Sequence, residues 1–244
     1  MNKISFLKLP WLVQKEVLSN MTMNELFTFS FSSSIVFSLI GQIQWRSTGH
    51  YKWMSSLNTA WIDDPTTTEL EAFTKAHPDL EMLTVQGDII GDLSSDSNMF
   101  NARNIHMYIY EKPFTEYVRY FKARHALFNA ATKSFHVKEF IRNWLRGMYS
   151  DNLTFVHIDQ EDGEVFHPTL LEGLELIRWD SSIFPNEYRM EKRDKFLTKC
   201  PKTYSIVNAY YMIRETDGKV LSVSFDRITV EFCVWNPEDL VVLA

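Results

Sequence analysis

Residues 9–40 read LPWLVQKEVLSNMTMNELFTFSFSSSIVFSLI and hold three short segments whose apolar residues recur at helical spacing. In the first segment Leu9, Val13 and Val17 are each four residues apart, which places them on one face of a helix. Pro10 suits the first helical turn, because the N–H that proline lacks has no partner there. Three helices of this size cannot bury all of these apolar side chains among themselves. The stretch therefore predicts a small helical module with a partner surface.

The second and third segments carry signals for the start of a helix. Thr22 is followed three residues later by Glu25, which matches a capping box. Serines 32–34 supply N-cap candidates for the third segment, in which Ile35 and Leu39 continue the helical spacing. These signals divide the stretch into three helices joined by short turns.

The ungapped stretch resembles an F-box, the module that docks on the small Skp-type adaptor of a cullin-based ubiquitin ligase. The Leu-Pro opening is Leu9-Pro10, and Glu25, Leu26 and Phe27 match the acidic-Leu-aliphatic step of the second helix. The resemblance implies that the adaptor contacts the Leu-Pro end and the apolar face that follows it. The implied adaptor-binding residues are Leu9, Pro10, Val13, Val17, Leu18, Leu26 and Phe27.

One segment of this stretch departs from the family pattern. Members of the family, especially the expanded nematode set, usually carry a basic cluster before the final Leu-Ile. Residues 34–38 read SIVFS here and contain no Lys or Arg. An alternative therefore stays open: a protein-interaction scaffold derived from an F-box that does not associate with the ligase.

The loss of the basic cluster also produces a long uncharged run. From Leu26 to Trp45 no residue is charged over 20 positions, which is the length of a membrane-spanning helix. However, the run contains five serines and two glutamines, and its apolar residues recur at helical spacing. Packed soluble helices are the favoured interpretation, and a membrane-anchored protein is the alternative.

The rest of the chain alternates between helical and strand-like patterns. Thr66 and Glu69 form a capping signal before a short helix. The clearest helix is VKEFIRNWLRG at 137–147, which Gly147 is placed to end. Residues 114–128 are predicted as a further helical face.

The last part of the chain consists of strand-like runs. The runs at 209–214 and 220–225 flank Asp217-Gly218, which is typical of a β-hairpin, and a third run covers 228–234. The patterns together predict an α+β fold. An N-terminal three-helix F-box is followed by an irregular βα domain that is similar to leucine-rich repeats and is closed by an antiparallel hairpin.

Two pieces of the larger domain resemble the F-box-associated domain of nematode F-box proteins. One is the helix at 137–147 with Asn-Leu-Thr-Phe at 152–155, and the other is 206–235. In that family this domain is regarded as the substrate-binding half, which implies a protein client without identifying it. The predicted organisation is an F-box at 1–45, a connector at 46–65 and an F-box-associated substrate-recognition domain at 66–244.

Composition argues against several classes of function. The net charge is −6 and no long run of basic residues occurs, which argues against nucleic acid as a partner. Only 8 glycines are present, so phosphate-binding glycine loops are not expected. Two cysteines without a secretory context predict a reduced chain in the cytoplasm, the nucleus or both.

The reactive side chains do not form a recognisable catalytic or metal-binding motif. A cluster between His157 and His167 contains carboxylates but lacks the compact spacing of metal ligands. Cys200 and Cys233 have no visible activating partner. We therefore expect no catalytic residue, no metal and no cofactor. The basic segment 189–202 is interpreted as solvated surface, with binding of an acidic client peptide as the alternative.

Together these features predict a non-catalytic substrate-recognition subunit of a cullin–RING (SCF-type) ubiquitin ligase. The F-box would bind the Skp-type adaptor and, through it, cullin. The C-terminal domain would bind a protein client. Neither a membrane nor nucleic acid is an expected partner.

Overall fold

The main feature of the fold is a ten-stranded mixed sheet. The computed structural model describes residues 10, 13–14, 16–17, 51–54, 59–160, 166, 171–181, 184–189, 203–206 and 209–240. The strands in these ranges are β1 (Tyr51–Met54), β2 (Thr59–Asp63), β3 (Met82–Gln86), β4 (Asn104–Ile109), β5 (His125–Ala130), β6 (Phe155–Gln160), β7 (Ile177–Arg178), β8 (Glu187–Arg189), β9 (Thr203–Ser205), β10 (Tyr210–Ile213), β11 (Val220–Phe225) and β12 (Thr229–Trp235).

The sheet has a parallel part and an antiparallel part. Its strand order is β1-β2-β3-β4-β5-β6-β12-β11-β10-β7, and β8 pairs with β9 in a separate two-stranded sheet. Neighbouring strands from β2 to β6 are parallel, so the chain must cross back between them. The strands from β12 to β7 are antiparallel to their neighbours and extend the same sheet beyond β6.

Helices make most of the crossings between the parallel strands. Helix α1 (Thr67–Ala76) follows β2, helix α2 (Phe114–Val118) follows β4 and helix α3 (Ser134–Leu145) follows β5. A short 3₁₀ helix (Asn98–Asn101) lies between β3 and β4. The mixed α+β class predicted from the sequence is confirmed.

Local sequence signals set the start of α1 and the end of α3. The capping box predicted at α1 is present, because Thr66 Oγ1 accepts from the backbone N–H of Glu69 and the Glu69 carboxylate accepts from the Thr66 N–H. Gly147 has φ +70° just after α3, and its N–H donates to the carbonyl of Trp144 at 2.9 Å. Glycine favours this left-handed conformation, so α3 ends where the sequence predicts.

The prediction of a single helical face over 114–128 is wrong. Helix α2 ends at Val118, and Phe128 lies in β5. The two segments still meet, because the rings of Phe114 and Phe128 pack 5.3 Å apart. Aromatic residues fit a buried strand as well as a helix, so periodicity alone does not separate the two.

The parallel strands pair in one common register. Thr59, Met82, Asn104, His125 and Phe155 lie side by side, so successive strands are offset by 23, 22, 21 and 30 residues. The longest offset includes α3, which is the longest helix among the described residues. The steps between strands are thus more regular than the sequence suggested.

An apolar residue before each of the strands β3 to β6 adds to the core. Each of these residues lies three positions before a strand residue that faces the helices. All four are buried: Leu80, Ala102, Ala123 and Leu153. They join the inward-facing strand residues and the apolar faces of the helices in one hydrophobic cluster. The three helices therefore cover the same face of the sheet, which burial of that face requires.

A second cluster covers part of the opposite face. Tyr188 and Tyr204 pack there against Phe155, and the rings of Phe155 and Tyr204 are 4.4 Å apart. Trp179 and Trp235 belong to the same cluster. The Tyr188 hydroxyl donates to Thr154 Oγ1 at 3.0 Å. The β8–β9 pair therefore lies over the amino ends of the parallel strands.

The predicted hairpin is confirmed and is anchored to α3. Strands β10 and β11 pair antiparallel around Gly218, which has φ +74°. The buried Arg214 guanidinium beside this turn donates to the Asp217 carboxylate at 2.9 and 2.5 Å. It also lies 4.8 Å from the centre of the Trp144 ring. These contacts join the antiparallel part of the sheet to the helix layer.

Two strands lie inside the segment predicted as a connector. Strands β1 and β2 fall within 46–65, and β2 pairs with β3 along its whole length. Ala60 and Ile62 of β2 are buried with 1% and 0% exposure, so this segment contributes to the core. The alternation of buried Ala60 and Ile62 with exposed Trp61 covers too few residues to distinguish a strand from an ordered loop in the sequence.

Most of the predicted F-box lies outside the described residues, as does the uncharged run from Leu26 to Trp45. Within the ranges given above, no helix is long and apolar enough to cross a membrane.

Candidate functional site

The sheet face opposite the helices carries a row of polar and aromatic side chains, which we call the polar face. It consists of Trp61, His106, Tyr108, Asn129, His157, Asp159 and Glu231. Strand alternation explains this placement, because residues two apart in a strand point to the same side. Their inward-facing neighbours, such as Met107 and Ile158, are buried in the helix-side core.

The common register brings these side chains together. His106 pairs with Leu127, Leu127 with His157, and His157 with Glu231 across four adjacent strands. Tyr108, Asn129 and Asp159 form a second row one step along the same strands. Side chains in neighbouring strands at such positions are about 5 Å apart, so members of each row lie beside one another. Leu127 in the first row is buried in the second cluster.

Aromatic rings occupy one end of the polar face. The rings of Trp61 and Tyr108 are 6.4 Å apart, and those of His106 and Tyr108 are 4.7 Å apart. Trp61 is 36% exposed, and its indole N–H donates to the Asp63 carboxylate. Partly exposed aromatic side chains with a polar group are typical of protein-binding surfaces.

The middle of the polar face is joined by a hydrogen bond between two strands. His106 Nε2 lies 2.7 Å from Asn129 Oδ1. Because an amide oxygen only accepts, Nε2 carries the proton in this arrangement. This nitrogen is therefore a donor and is not available as a general base.

His157 forms a charged centre at the other end of the polar face. Its Nε2 lies 3.0 Å from Asp159 Oδ1, and its Nδ1 lies 3.2 Å from Glu231 Oε1. Burial alone would lower the pKa of His157, but hydrogen bonds and charge from the two carboxylates raise it to about 9. The imidazole is therefore protonated at neutral pH, and both of its nitrogens donate.

Two other groups that could supply reactivity, His125 and Cys233, are buried. His125 Nδ1 lies 2.6 Å from Asn104 Oδ1, and burial, aided by Arg124 and Arg103, lowers the pKa of His125 to about 4. Burial raises the pKa of the Cys233 thiol well above its usual range. A neutral buried thiol is a poor nucleophile. Cys200 lies outside the described residues.

The arrangement is suited to binding, because the polar face presents aromatic rings and hydrogen-bonding groups. The histidine and carboxylate groups of the polar face hydrogen bond one another. In the described part of the chain, no three His, Cys, Asp or Glu side chains are arranged to hold a metal ion. What the polar face offers a partner is aromatic surface, hydrogen-bonding groups and partly exposed carboxylate.

Three of the predicted adaptor-binding residues are described. Pro10 is exposed, and its carbonyl accepts from the N–H groups of Val13 and Gln14 at 2.9 and 3.0 Å, as in a first helical turn. Val13 and Val17 are 43% and 41% exposed. These two valines, four residues apart, present apolar surface on one helical side. Leu9, Leu18, Leu26 and Phe27 lie outside the described residues.

Sequence patterns did not reveal the partner of His157. Glu231 is 74 residues away along the chain, and only the pairing of β6 with β12 brings them together. The available signal was the alternation of polar and apolar residues in both strands. That alternation indicates which side chains share a face but not which strands are neighbours.

No protein-family model, no curated protein and no solved structure matches this chain.

Proposed function

We propose that this chain is the non-catalytic substrate-recognition subunit of a cullin–RING (SCF-type) ubiquitin ligase. The N-terminal residues 1–45 would form an F-box that binds the Skp-type adaptor. The sheet domain would bind a protein client, in the cytoplasm, the nucleus or both. The observation that carries the proposal is the exposed apolar side formed by Val13 and Val17 directly after Pro10.

The geometry of the sheet domain supports a binding role. The strand-to-helix steps between β2 and β6 leave all helices on one side, as in leucine-rich repeats. In such an arrangement the strands present their outward side chains at regular spacing, which suits recognition of another protein. The polar face has this form, and its histidines are engaged in hydrogen bonds.

On this proposal the chain contributes to ubiquitin transfer by tethering. It holds the client near a charged ubiquitin-conjugating enzyme and so raises the effective concentration of the client. The two ends of the chain have separate tasks. Substitutions in one end should therefore leave binding at the other end intact.

The test is co-purification with the Skp-type adaptor after Leu9→Ala and Pro10→Ala together. Apolar anchors at the centre of an interface typically contribute 2 kcal/mol or more, which corresponds to a loss of at least about 30-fold in affinity. A matched control replaces two exposed apolar residues elsewhere, Met148→Ala and Ile228→Ala. We expect loss of the adaptor only with the first pair. Unchanged recovery with both pairs would contradict the F-box assignment.

The scaffold alternative is favoured by the absence of Lys and Arg from 34–38. Introducing positive charge with Ser34→Lys and Ile35→Arg distinguishes the scaffold from a ligase subunit. Electrostatic complementarity mainly raises the association rate, whereas apolar anchors set dissociation. A ligase subunit should bind the adaptor both before and after this change, with faster association after it. A scaffold should bind in neither form.

A further inference from the structure

A basic groove lies at the edge of the sheet where the parallel strands begin. Its basic side chains are Arg103, Lys122, Arg124 and Lys219, and it has a volume of about 380 Å³. Asp151, Asn152, Thr154, Val234 and Asn236 complete its lining. Asp151 is thus the one carboxylate among the lining residues.

The fold explains why these side chains lie together. Arg103, Arg124 and Thr154 each stand immediately before a parallel strand, and Lys219 stands immediately before β11. The Arg124 N–H donates to the Arg103 carbonyl at 2.7 Å, and the Thr154 N–H donates to the Arg124 carbonyl at 2.9 Å. Neighbouring strands are about 4.8 Å apart, so the three side chains start at regular intervals along the edge.

Within the described part of the chain, the groove has four cationic side chains, and the carboxylates of Glu81, Asp151 and Asp217 lie within 4.0 Å of two of them. Arg103 lies 3.5 Å from Glu81, whose side chain is 47% exposed, and Lys219 lies 3.3 Å from Asp151, whose side chain is 76% exposed. Lys122 is exposed. Burial is the main cause of the low pKa of His125 just behind the groove, and both arginines lower it further.

The chain as a whole has a net charge of −6, so this groove is opposite in sign to the molecule. A concave site whose charged side chains are mostly of one sign concentrates ligands of the other sign. Arginine also presents a planar fork of donors that matches carboxylate and phosphate oxygens. Asn152 and Asn236 add neutral hydrogen-bonding groups beside them.

We propose that this groove binds an anionic segment of a protein partner, carrying either clustered carboxylates or a phosphorylated residue. Its role as a client site depends on the proposed function, whereas binding of the peptide does not. Four lysines and arginines at one edge of an otherwise acidic chain favour a short peptide over nucleic acid, which needs an extended basic surface.

The test measures fluorescence anisotropy of labelled peptides with the full-length protein. The probes are an Asp/Glu-rich peptide, a peptide with phosphoserine at equal formal charge, a neutral Gln-substituted peptide and a single-stranded RNA of equal charge. We expect both anionic peptides to bind and the neutral peptide to bind at least about tenfold more weakly. Tighter binding of the phosphopeptide would assign phosphate as the natural group, and equal binding would assign carboxylate.

The groove variant is Arg103→Gln with Arg124→Gln, and the control is Arg178→Gln with Arg227→Gln, two exposed arginines outside the groove. Both variants change net charge equally. We expect the groove variant to lose about tenfold or more in affinity for the anionic peptides and the control to stay within about twofold. Lys122→Gln, at an exposed position, provides a milder second variant that does not threaten folding.

Two results would overturn the proposal. One is equal weakening by the groove variant and the control, which would indicate general electrostatic attraction. The other is RNA binding tighter than both peptides and lost with the same arginines. The groove variants should still co-purify with the Skp-type adaptor. Loss of adaptor binding by Leu9→Ala and Pro10→Ala should leave peptide binding unchanged, so the two proposals fail separately.

Discussion

His157 shows how a single side chain can acquire a property that its neighbours in sequence do not give it. Asp159 is on the same strand, but Glu231 comes from β12, and both accept hydrogen bonds from the imidazole. With only 13% of its side chain exposed, the cation depends on these two carboxylates. The folded protein therefore holds the proton on His157 more tightly than the unfolded chain does.

This difference predicts a pH-dependent contribution to stability. The pKa of His157 rises from 6.5 in the unfolded chain to about 9 in the folded protein. The stabilisation that the protonated His157 gives the folded protein is therefore complete below pH 6.5 and is lost as the pH rises through 9. The full effect is on the order of 3 kcal/mol. Urea unfolding of the parent and of His157→Gln at several pH values measures it.

The difference in free energy of unfolding between parent and His157→Gln should shrink as the pH rises through this window. His125 provides the control, because its folded pKa is lowered to about 4. The contribution of the neutral His125 to the free energy of unfolding is present above pH 6.5 and is lost as the pH falls through 4. The parent and His125→Gln should therefore diverge in the opposite direction. A constant difference for His157→Gln at all pH values would show that the imidazole is not held as a cation.

At the scale of elements, helix α3 joins the two parts of the sheet. Trp144 lies in the helix-side core with 2% exposure, and the Arg214 guanidinium from the antiparallel part lies over its ring. Asp217 fixes this guanidinium, and their hydrogen bond lowers the pKa of Asp217 to about 2. The helix is therefore held both by apolar packing and by a cation over its tryptophan ring.

Trp144→Ala should lower the free energy of unfolding by about 3–5 kcal/mol, because it leaves a cavity and removes the surface on which Arg214 packs. Phe135→Ala is the matched control on the same helix, since the Phe135 side chain is 59% exposed. The control should change stability by about 0.5 kcal/mol or less. Chemical unfolding of the two variants gives the comparison, and similar losses for both would show that α3 is not oriented as described.

At the scale of the whole molecule, the sheet extends beyond the parallel strands β3 to β6 on both sides. Strand β2 covers the edge of β3, and β12 continues the sheet after β6. Removal of β2 would expose the β3 edge and delete Ala60 and Ile62 from the core. An uncovered edge strand is also prone to aggregate.

A fragment that begins at residue 66 should therefore be less stable than one that begins at residue 46. We expect the longer fragment, 46–244, to melt cooperatively and at the higher temperature. The shorter fragment, 66–244, should melt at a lower temperature or aggregate. Circular dichroism on heating and size-exclusion chromatography measure both properties. Identical melting of the two fragments would show that β1 and β2 are dispensable and that the domain begins where the sequence suggested.

Much of the local structure could be predicted because its causes are local. The capping box at Thr66 and Glu69, the helix end at Gly147 and the turn at Gly218 each depend on residues within a few positions of one another. The burial of Trp144 follows from helical periodicity in the same way. The assignment of Phe128 to a helix failed because an aromatic residue fits a buried strand as well as a helix, and its pairing with Met107 of β4 is not visible in the sequence.

The candidate sites could not be predicted from the sequence as well as the local structure. Arg103, Arg124 and Lys219 are far apart in the chain and belong to no basic run. They form a groove only because the strands that follow them start at the same edge of the sheet. The basic residues of 189–202, by contrast, are close together in the chain and form a local pattern. Charge that is dispersed in the sequence but clustered in space leaves no local pattern.

The sequence by itself therefore determined the α+β class, the ends of individual helices and the hairpin, because each depends on neighbours within a few turns of chain. The tertiary structure alone decided strand order, the common register and the cationic state of His157. It also decided the positions of the polar face and the basic groove. These depend on backbone hydrogen bonds between strands, which any residue can form and which therefore leave little trace in the side-chain pattern.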